Sequence, residues 1–555
     1  MKESRAFQAS ANISKVNNQS MEKVKPSRVS TFQVLNNDAT QSKNRGTDVS
    51  SPAYTEEFFT LESTPVTGDS VYNSSSVVSV SSYRSPFSPH CSQSYASDLL
   101  QHHSCDYTCD SSFNGSSVLY NEEKSVHALW MLKNDLTEPE SADGDDIGSL
   151  SGMATQSLSS TRYDKILEMA ALMDLKQLLV TCAERVSEAD SNSMCERRLA
   201  VSAAEALMGM LGRRVSVSGD PLQRLGAYLL EGLKARLLSS GSIIYKKLKC
   251  NEPASSELMS YMHVLYEICP YYKFAYVYAN AVIWEAMENE SRIHVIDFQI
   301  AQGSQWVSFI QSLSRRPGGP PYLRITGVDD SQSAHARGGG LELVCQRLAS
   351  VAEACRVPFE FHGAGISGCE LQFENLQVRQ GESLAVIFPY ILHHMPDESV
   401  STTNHRDRLL RLVKSLSPKI VTLSEQESNT NTSLFFQRFL ETLDYYSAIF
   451  ESIDAVPSRD DRQRISTEEH CVGRDIVNII ACEGIDRMER HELLGKWRMR
   501  LSMAGFSPVP LSSSVSTATR ELLRDYSTNY RIEEANDALY LGWKNRALYT
   551  SSAWR

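Results

Sequence analysis

Apolar positions follow two rhythms along this chain, and the change falls near residue 290. Between Tyr163 and Met287 they recur every three or four residues, the spacing of amphipathic helices. Helices are predicted over Asp174–Val180, Arg198–Leu211, Asp220–Leu238, Ser256–Ile268 and Phe274–Met287. Asp220 ahead of Pro221 reads as an N-cap followed by proline at the first helical position. From Ile293 onward, short apolar runs alternate with helical stretches. Strands are predicted over Ile293–Asp297, Tyr322–Val328, Phe359–His362, Leu384–Tyr390, Lys419–Glu425 and Tyr446–Ile453. Helices fall between most of them, notably Gly340–Cys355, His405–Ser415 and Thr432–Leu443. That alternation predicts an α/β fold with a mostly parallel sheet covered by helices on both faces. The tail, Ala538 to Arg555, reads as a closing β-hairpin that reaches the last residue.

Residues 1–160 keep neither rhythm; residues 71–120 alone contain 16 serines, too few apolar groups to offset ordering entropy, so this arm is expected to be disordered. Within it, Val126, Leu129, Trp130 and Leu136 mark a helical island over 122–136, followed by an acidic run from Glu138 to Asp146. The island reads equally as a partner-binding helix and as a transient helix without a partner.

Charge is uneven: net +4 over 1–50, −12 over 51–160 and −4 over 161–555. An acidic chain matches phosphate backbones poorly, so any DNA contact must come from a local basic surface. Arg213-Arg214, Lys246-Lys247-Lys249, Arg406-Arg408-Arg411-Lys414 and Arg487-Arg490-Lys496-Arg498-Arg500 are the basic clusters, and the acidic neighbours Asp407, Glu489 and Glu492 predict solvated mixed faces for the last two. The 12 cysteines form no CxxC pair, and no secretory leader is expected, which together read as reduced thiols. No apolar run approaches the roughly 18 residues a membrane span requires.

The densest chemical signal is the strand Ile293–Ile296 running into Asp297, a loop, and a helix that starts near Trp306. This is how the first βα turn of a nucleotide-binding domain reads. In a methyltransferase-like domain the positions two, four and six beyond the acid are glycines that let backbone approach the cofactor; here they are Gln299, Ala301 and Gly303. Asp329 follows the second strand, where such domains place a carboxylate for ribose hydroxyls. Asp297, Gly303 and Asp329 are therefore the candidates for a degenerate cofactor site, and no cofactor is expected. Gly338-Gly339-Gly340 lacks the Lys-Ser/Thr of a phosphate loop and reads as a connector.

His393-His394, with Asp397, Glu425 and Glu427, invites a metal or hydrolase reading. Adjacent histidines cannot share one face of a strand or helix, and HExxH and GxSxG are both absent, so no catalytic residue and no metal ligand is expected. His102, His103, Cys105 and Cys109 fit no standard zinc spacing. Leu175-Lys176-Gln177-Leu178-Leu179 has the LxxLL form of a groove-docking helix, although core packing explains the same spacing.

Taken in order, these blocks resemble the plant GRAS family of scarecrow-like transcription regulators, from near Leu167 to Arg555. Ile293-His294-Val295-Ile296-Asp297 is similar to the family's VHIID pentad. The resemblance sets a first leucine repeat at 172–243, a VHIID region at 262–327, a second leucine repeat at 341–376, a PFYRE region at 384–478 and a SAW region at 481–555, all within a domain of 165–555. It implies a methyltransferase-like (Rossmann-type) sheet with an α-helical cap, and a non-enzymatic regulator in nucleus and cytoplasm. It also implies contacts with other transcription factors and other GRAS proteins, homo- or hetero-dimers among them, with DNA reached indirectly. Candidate contact residues are Leu175, Leu178, Leu179, Leu341 and Leu348; Arg490, Glu492, Trp497, Trp543 and Trp554 would form a structural C-terminal block. Ser216–Pro221, Arg316–Pro321 and Glu425–Thr432 look similar to the phytochrome A signal transduction branch, which implies a role in light responses. Pro389 departs from the family's fourth strand and is expected to remove a ladder hydrogen bond. Two other readings stay open on the residues alone: a methyltransferase or small-molecule sensor using Asp297 and Asp329, and a direct DNA binder.

Overall fold

A computed structural model of the chain describes residues 165, 168–190, 193–238, 255–329, 340–455 and 461–555. The serine-rich arm, its helical island, the His102–Cys109 cluster, Lys246–Lys249 and Gly338-Gly339 lie outside the described residues. Among the described residues five helices come first: α1 (Leu175–Glu188), α2 (Met194–Leu211), α3 (Pro221–Leu237), α4 (Ser255–Ile268) and α5 (Tyr271–Ala286). Asp174 and Asp220 cap α1 and α3 with capping boxes: each carboxylate accepts from the backbone N–H three residues on, and Gln177 and Gln223 return the bond.

The sheet follows. Its strands are β1 (Arg292–Asp297), β2 (Tyr322–Val328), β3 (Phe359–Ala364), β4 (Ser383–Pro389), β5 (Ile420–Gln426), β6 (Tyr530–Ala535), β7 (Ala538–Trp543) and β8 (Arg546–Trp554). They lie in the order β3-β2-β1-β4-β5-β8-β7-β6. The first five are parallel, and the last three join antiparallel. Between them run α6 (Ser304–Leu313), α7 (Gly340–Ala354), α8 (His405–Ser415), α9 (Phe435–Asp454), α10 (Arg462–Glu468), α11 (Arg474–Ala481), α12 (Leu494–Met503) and α13 (Ser513–Glu521). β1 sits at the centre of the parallel half, pairing Ile293 with Leu323 on one side and Ser383 on the other. Chain order reverses between β1 and β4, which makes the ends of these strands the topological switch point of a doubly wound, methyltransferase-like fold.

Alternate residues of β1 feed two cores: Val295 packs into the one shared with α1, α3, α5 and α9, and Ile296 into the one shared with α8 and α12. Two predicted elements are corrected. Tyr446–Ile453 is not a strand but the second half of α9, where Phe439, Leu443, Tyr446, Ile449, Phe450 and Ile453 are buried at helical spacing. A short run rich in aromatic and β-branched residues suits either element, and here the helix begun at Phe435 carries through. The tail is not a lone hairpin: β6 joins it, and β8 inserts between β7 and β5, pairing Val421 with Trp554 and Gln426 with Tyr549.

The ladder between β1 and β4 stops just short of Pro389, as a residue without a backbone N–H requires. The pairing of β1 with β4 ends at Asp297 and Ile387, and Tyr390, at φ 58°, already turns away while donating to the Ser424 carbonyl at 2.9 Å.

Candidate functional site

Asp297 closes β1 at the switch point and is almost completely buried. Its Oδ1 accepts from the Gln299 backbone N–H at 3.0 Å, and its Oδ2 accepts from the Trp306 indole N–H at 2.8 Å. Burial pushes this carboxyl up to about 7, against the lowering effect of both donors. The acid is thus spent on its own chain, tying the strand to the first turn of α6.

The loop between them carries Gln299 and Ala301 at two of the three positions where glycines would let a nucleotide-type cofactor approach. Ile300 is buried over β2, so that a Cβ on Gly327 would meet its Cγ2 at 3.0 Å. Phe298 stacks on Phe388 with ring centroids 4.6 Å apart. Ala301 takes the left-handed conformation (φ 46°) that a glycine would adopt more easily. Gly303, at φ 67°, is retained because α7 crosses there: a Cβ would meet Val344 Cγ1 at 3.0 Å and Leu348 Cδ1 at 3.1 Å. Asp329 lies just past β2, near enough to raise the Asp297 carboxyl electrostatically. The two acids are brought together, but side chains fill the space that backbone would have to leave open. The residues present do not fit the group that this fold commonly holds.

The signature histidine is a core group. His294 Nε2 lies 2.8 Å from Thr326 Oγ1, and its Nδ1 lies 3.0 Å from an Arg324 guanidinium nitrogen. Burial, with Arg324 beside it, pushes its pKa down to about 3, so the ring stays neutral between β1 and β2. Arg324 in turn donates from Nε to Glu382 Oε1 at 2.8 Å.

The leucines expected to meet partners are mostly turned inward. Leu178, Leu179 and Leu348 are fully buried, and Leu175 and Leu341 pack against the same core. Among the described residues, the large apolar side chains these regions expose are Leu172, Met194, Val217, Leu238, Leu343 and Phe373 instead. The basic clusters also depart from expectation. Arg406, Arg487, Arg490 and Arg500 are buried rather than solvated, because carboxylates and carbonyls from several segments surround them. Arg500 Nε donates to Glu492 Oε2 at 2.7 Å and its Nη1 to Asp407 Oδ1 at 2.8 Å; Arg406 Nη1 lies 3.2 Å from Glu492 Oε2. Arg490 Nη1 donates to Asn431 Oδ1 at 3.1 Å. Sequence reasoning missed this network because its members come from positions 397 to 500 and no local motif joins them.

Trp497, Trp543 and Trp554 are all buried at the C-terminal end. Arg406 stands over the Trp497 ring at 4.9 Å, and the Trp543 indole N–H donates to Glu451 at 3.2 Å. A further cluster gathers beside the switch point. His393 and His394 occupy a single 3-10 turn, Leu392–His394, and both face Glu489. The constraint that separates neighbours on a strand or an α-helix does not hold in that turn.

A doubly wound domain whose switch-point acid is bonded to its own tryptophan belongs to the class of Rossmann-type folds with a self-occupied seat. The chain belongs to the GRAS domain family, whose model matches residues 175–555. It is 54% identical over 501 residues to Scarecrow-like protein 13 of Arabidopsis thaliana, covering 90% of this chain and 92% of that one. It is 55% identical to Scarecrow-like transcription factor PAT1 of the same plant, over 81% of this chain and 89% of that protein. The crystal structure of SCL7 from Oryza sativa superposes with a TM-score of 0.58 at 33% identity, over 69% of this chain and all of that one.

Proposed function

We propose that this chain is a non-enzymatic plant transcription regulator that works as a protein-interaction scaffold. The observation that carries the reading is the Asp297–Trp306 bond, with Gln299 and Ala301 standing where glycines would let a cofactor approach. Relatives at 54% and 55% identity, one named a transcription factor, supply the regulatory context. Its partners are other transcription factors and other GRAS proteins, in homo- or hetero-dimers, met in nucleus and cytoplasm. The resemblance of Ser216–Pro221, Arg316–Pro321 and Glu425–Thr432 to the phytochrome A signal transduction branch is what supports a role in light responses. Burial of Arg406, Arg487, Arg490 and Arg500 removes these guanidinium groups from a DNA-facing surface, which favours recruitment through a DNA-bound partner. Leu172 and Leu343, exposed beside the leucine repeats, are the side chains nominated for contact. Among the described residues no helix is long and apolar enough to cross a membrane.

The test tethers the full chain to a heterologous DNA-binding domain at a reporter promoter in plant cells. Reporter output that changes several-fold in either direction supports the proposal. Unchanged output from a fusion present at normal levels contradicts it.

A further inference from the structure

We propose that His393, Glu489 and His491 form a divalent transition-metal site, occupied by Zn²⁺, that staples the loop after β4 to the segment before α12. The three residues are buried, and their ligand atoms lie within 4.8 Å of one another. His393 Nε2 and His491 Nε2 each stand 3.5 Å from Glu489 Oε2. That is longer than a good hydrogen bond. It is close to the roughly 3.3 Å edge of a tetrahedron whose centre holds zinc at ordinary Zn–N and Zn–O lengths. His491 Nε2 makes no hydrogen bond among the described residues, although its ring is wholly buried.

The surrounding groups have the form that metal-bound histidines require. His393 Nδ1 meets Glu425 Oε2 at 2.5 Å, a carboxylate–histidine pair that leaves Nε2 to bind. His491 Nδ1 meets Thr430 Oγ1 at 3.1 Å, a hydroxyl able to accept an Nδ1 proton when Nε2 binds. Backbone bonds hold the two segments in place without the ion: Arg490 N–H donates to the His393 carbonyl at 3.1 Å, and Thr430 N–H to the His491 carbonyl at 3.1 Å. Two buried carboxylates, Glu425 and Glu489, would balance the charge of a divalent ion.

The fourth position falls to a water. A cavity of about 50 Å³, lined by Tyr271, Tyr390, His393, His394, Tyr446 and Asp475 among others, is large enough for a water. Two imidazoles beside one carboxylate suit a first-row transition ion such as zinc better than magnesium or calcium, which take oxygen donors.

Full-length protein produced in cobalt-supplemented medium, without a polyhistidine tag, gives the test. The expected result is one Co²⁺ per chain by elemental analysis, with the intense visible absorption of tetrahedral cobalt. Both are lost in Glu489→Gln and His491→Asn, and a chelator lowers the wild-type melting temperature until Zn²⁺ restores it. Folded wild-type protein holding no stoichiometric cobalt or zinc overturns the proposal, whatever the variants do. So does a cobalt spectrum that both substitutions leave unchanged in folded protein.

Discussion

The Trp306 indole N–H donates to Asp297 Oδ2 at 2.8 Å, across nine residues of chain, inside a site from which water is excluded. The bond has a physical cause on both sides. Asp297 ends a strand buried in the middle of the sheet and must find donors there, since an unsatisfied buried carboxylate is strongly unfavourable. Trp306 sits in the first turn of α6, where the loop's length and the left-handed Ala301 and Gly303 bring its ring back over the strand. What would be a cofactor's hydrogen-bond acceptor is thereby turned into a clamp.

Removing the donor should reveal the clamp's strength. Trp306→Phe keeps the aromatic bulk but leaves Asp297 with the Gln299 N–H as its remaining donor of the two. Urea unfolding should show a loss of about 1–3 kcal/mol. A variant as stable as the parent would show that the bond contributes nothing.

The same carboxyl predicts a pH signature. Its pKa stands at about 7 in the folded chain against an ordinary 3.8, so the folded state holds this proton more tightly. The stability it contributes is fully present below about pH 4 and is lost as pH rises through 7. Asp297→Asn is uncharged throughout and escapes that loss. Its unfolding free energy relative to the parent should rise between pH 5 and pH 8 by on the order of 1–4 kcal/mol. A difference that stays flat across that range contradicts the assignment.

The chain's last ten residues are predicted to be indispensable for folding. β8 is an interior strand, bonded to β5 on one side and β7 on the other, and Trp554 is buried. Deleting residues 546–555 opens both ladders and exposes the edge of β5. The truncated chain should lose its cooperative melt and aggregate. Soluble protein with a sharp transition would refute this.

Arg500 anchors the buried charge network, with Glu492, Asp407, Asp397 and Glu398 all within ion-pair distance. Arg500→Met takes a shared cation away from the buried Glu492 and Asp397 and leaves Arg406 to balance both, so it should destabilise the domain by about 3–5 kcal/mol in denaturant unfolding. A loss under about 1 kcal/mol would mean the pairs behave like surface ones.

The parallel half of the sheet could be read from the chain because β1 to β5 are short apolar runs separated by helical spacing, a pattern set by local burial. Asp297 and the lost glycines were legible for the same reason: they follow one strand directly. The second half of α9 was not, since Tyr445, Tyr446, Ile449 and Ile453 suit a strand as well as a helix and only packing decides. β6 carries Arg531, Glu533 and Glu534 among its six residues, which hides its strand character. The inward turn of Leu178, Leu179 and Leu348 depends on which face the sheet covers, and periodicity gives a stripe without saying what it meets. His393, Glu489 and His491 are joined only by tertiary structure, across roughly a hundred residues, through a turn type that the sequence did not announce.

Calorimetric titration of S-adenosylmethionine and its demethylated product into the full-length chain decides between a scaffold and a cofactor-using protein. With Asp297 bonded to Trp306 and with Gln299 and Ala301 in place of glycine, neither should give saturable heat. Micromolar binding that disappears in Asp297→Ala would contradict the scaffold reading and make the chain a sensor or an enzyme.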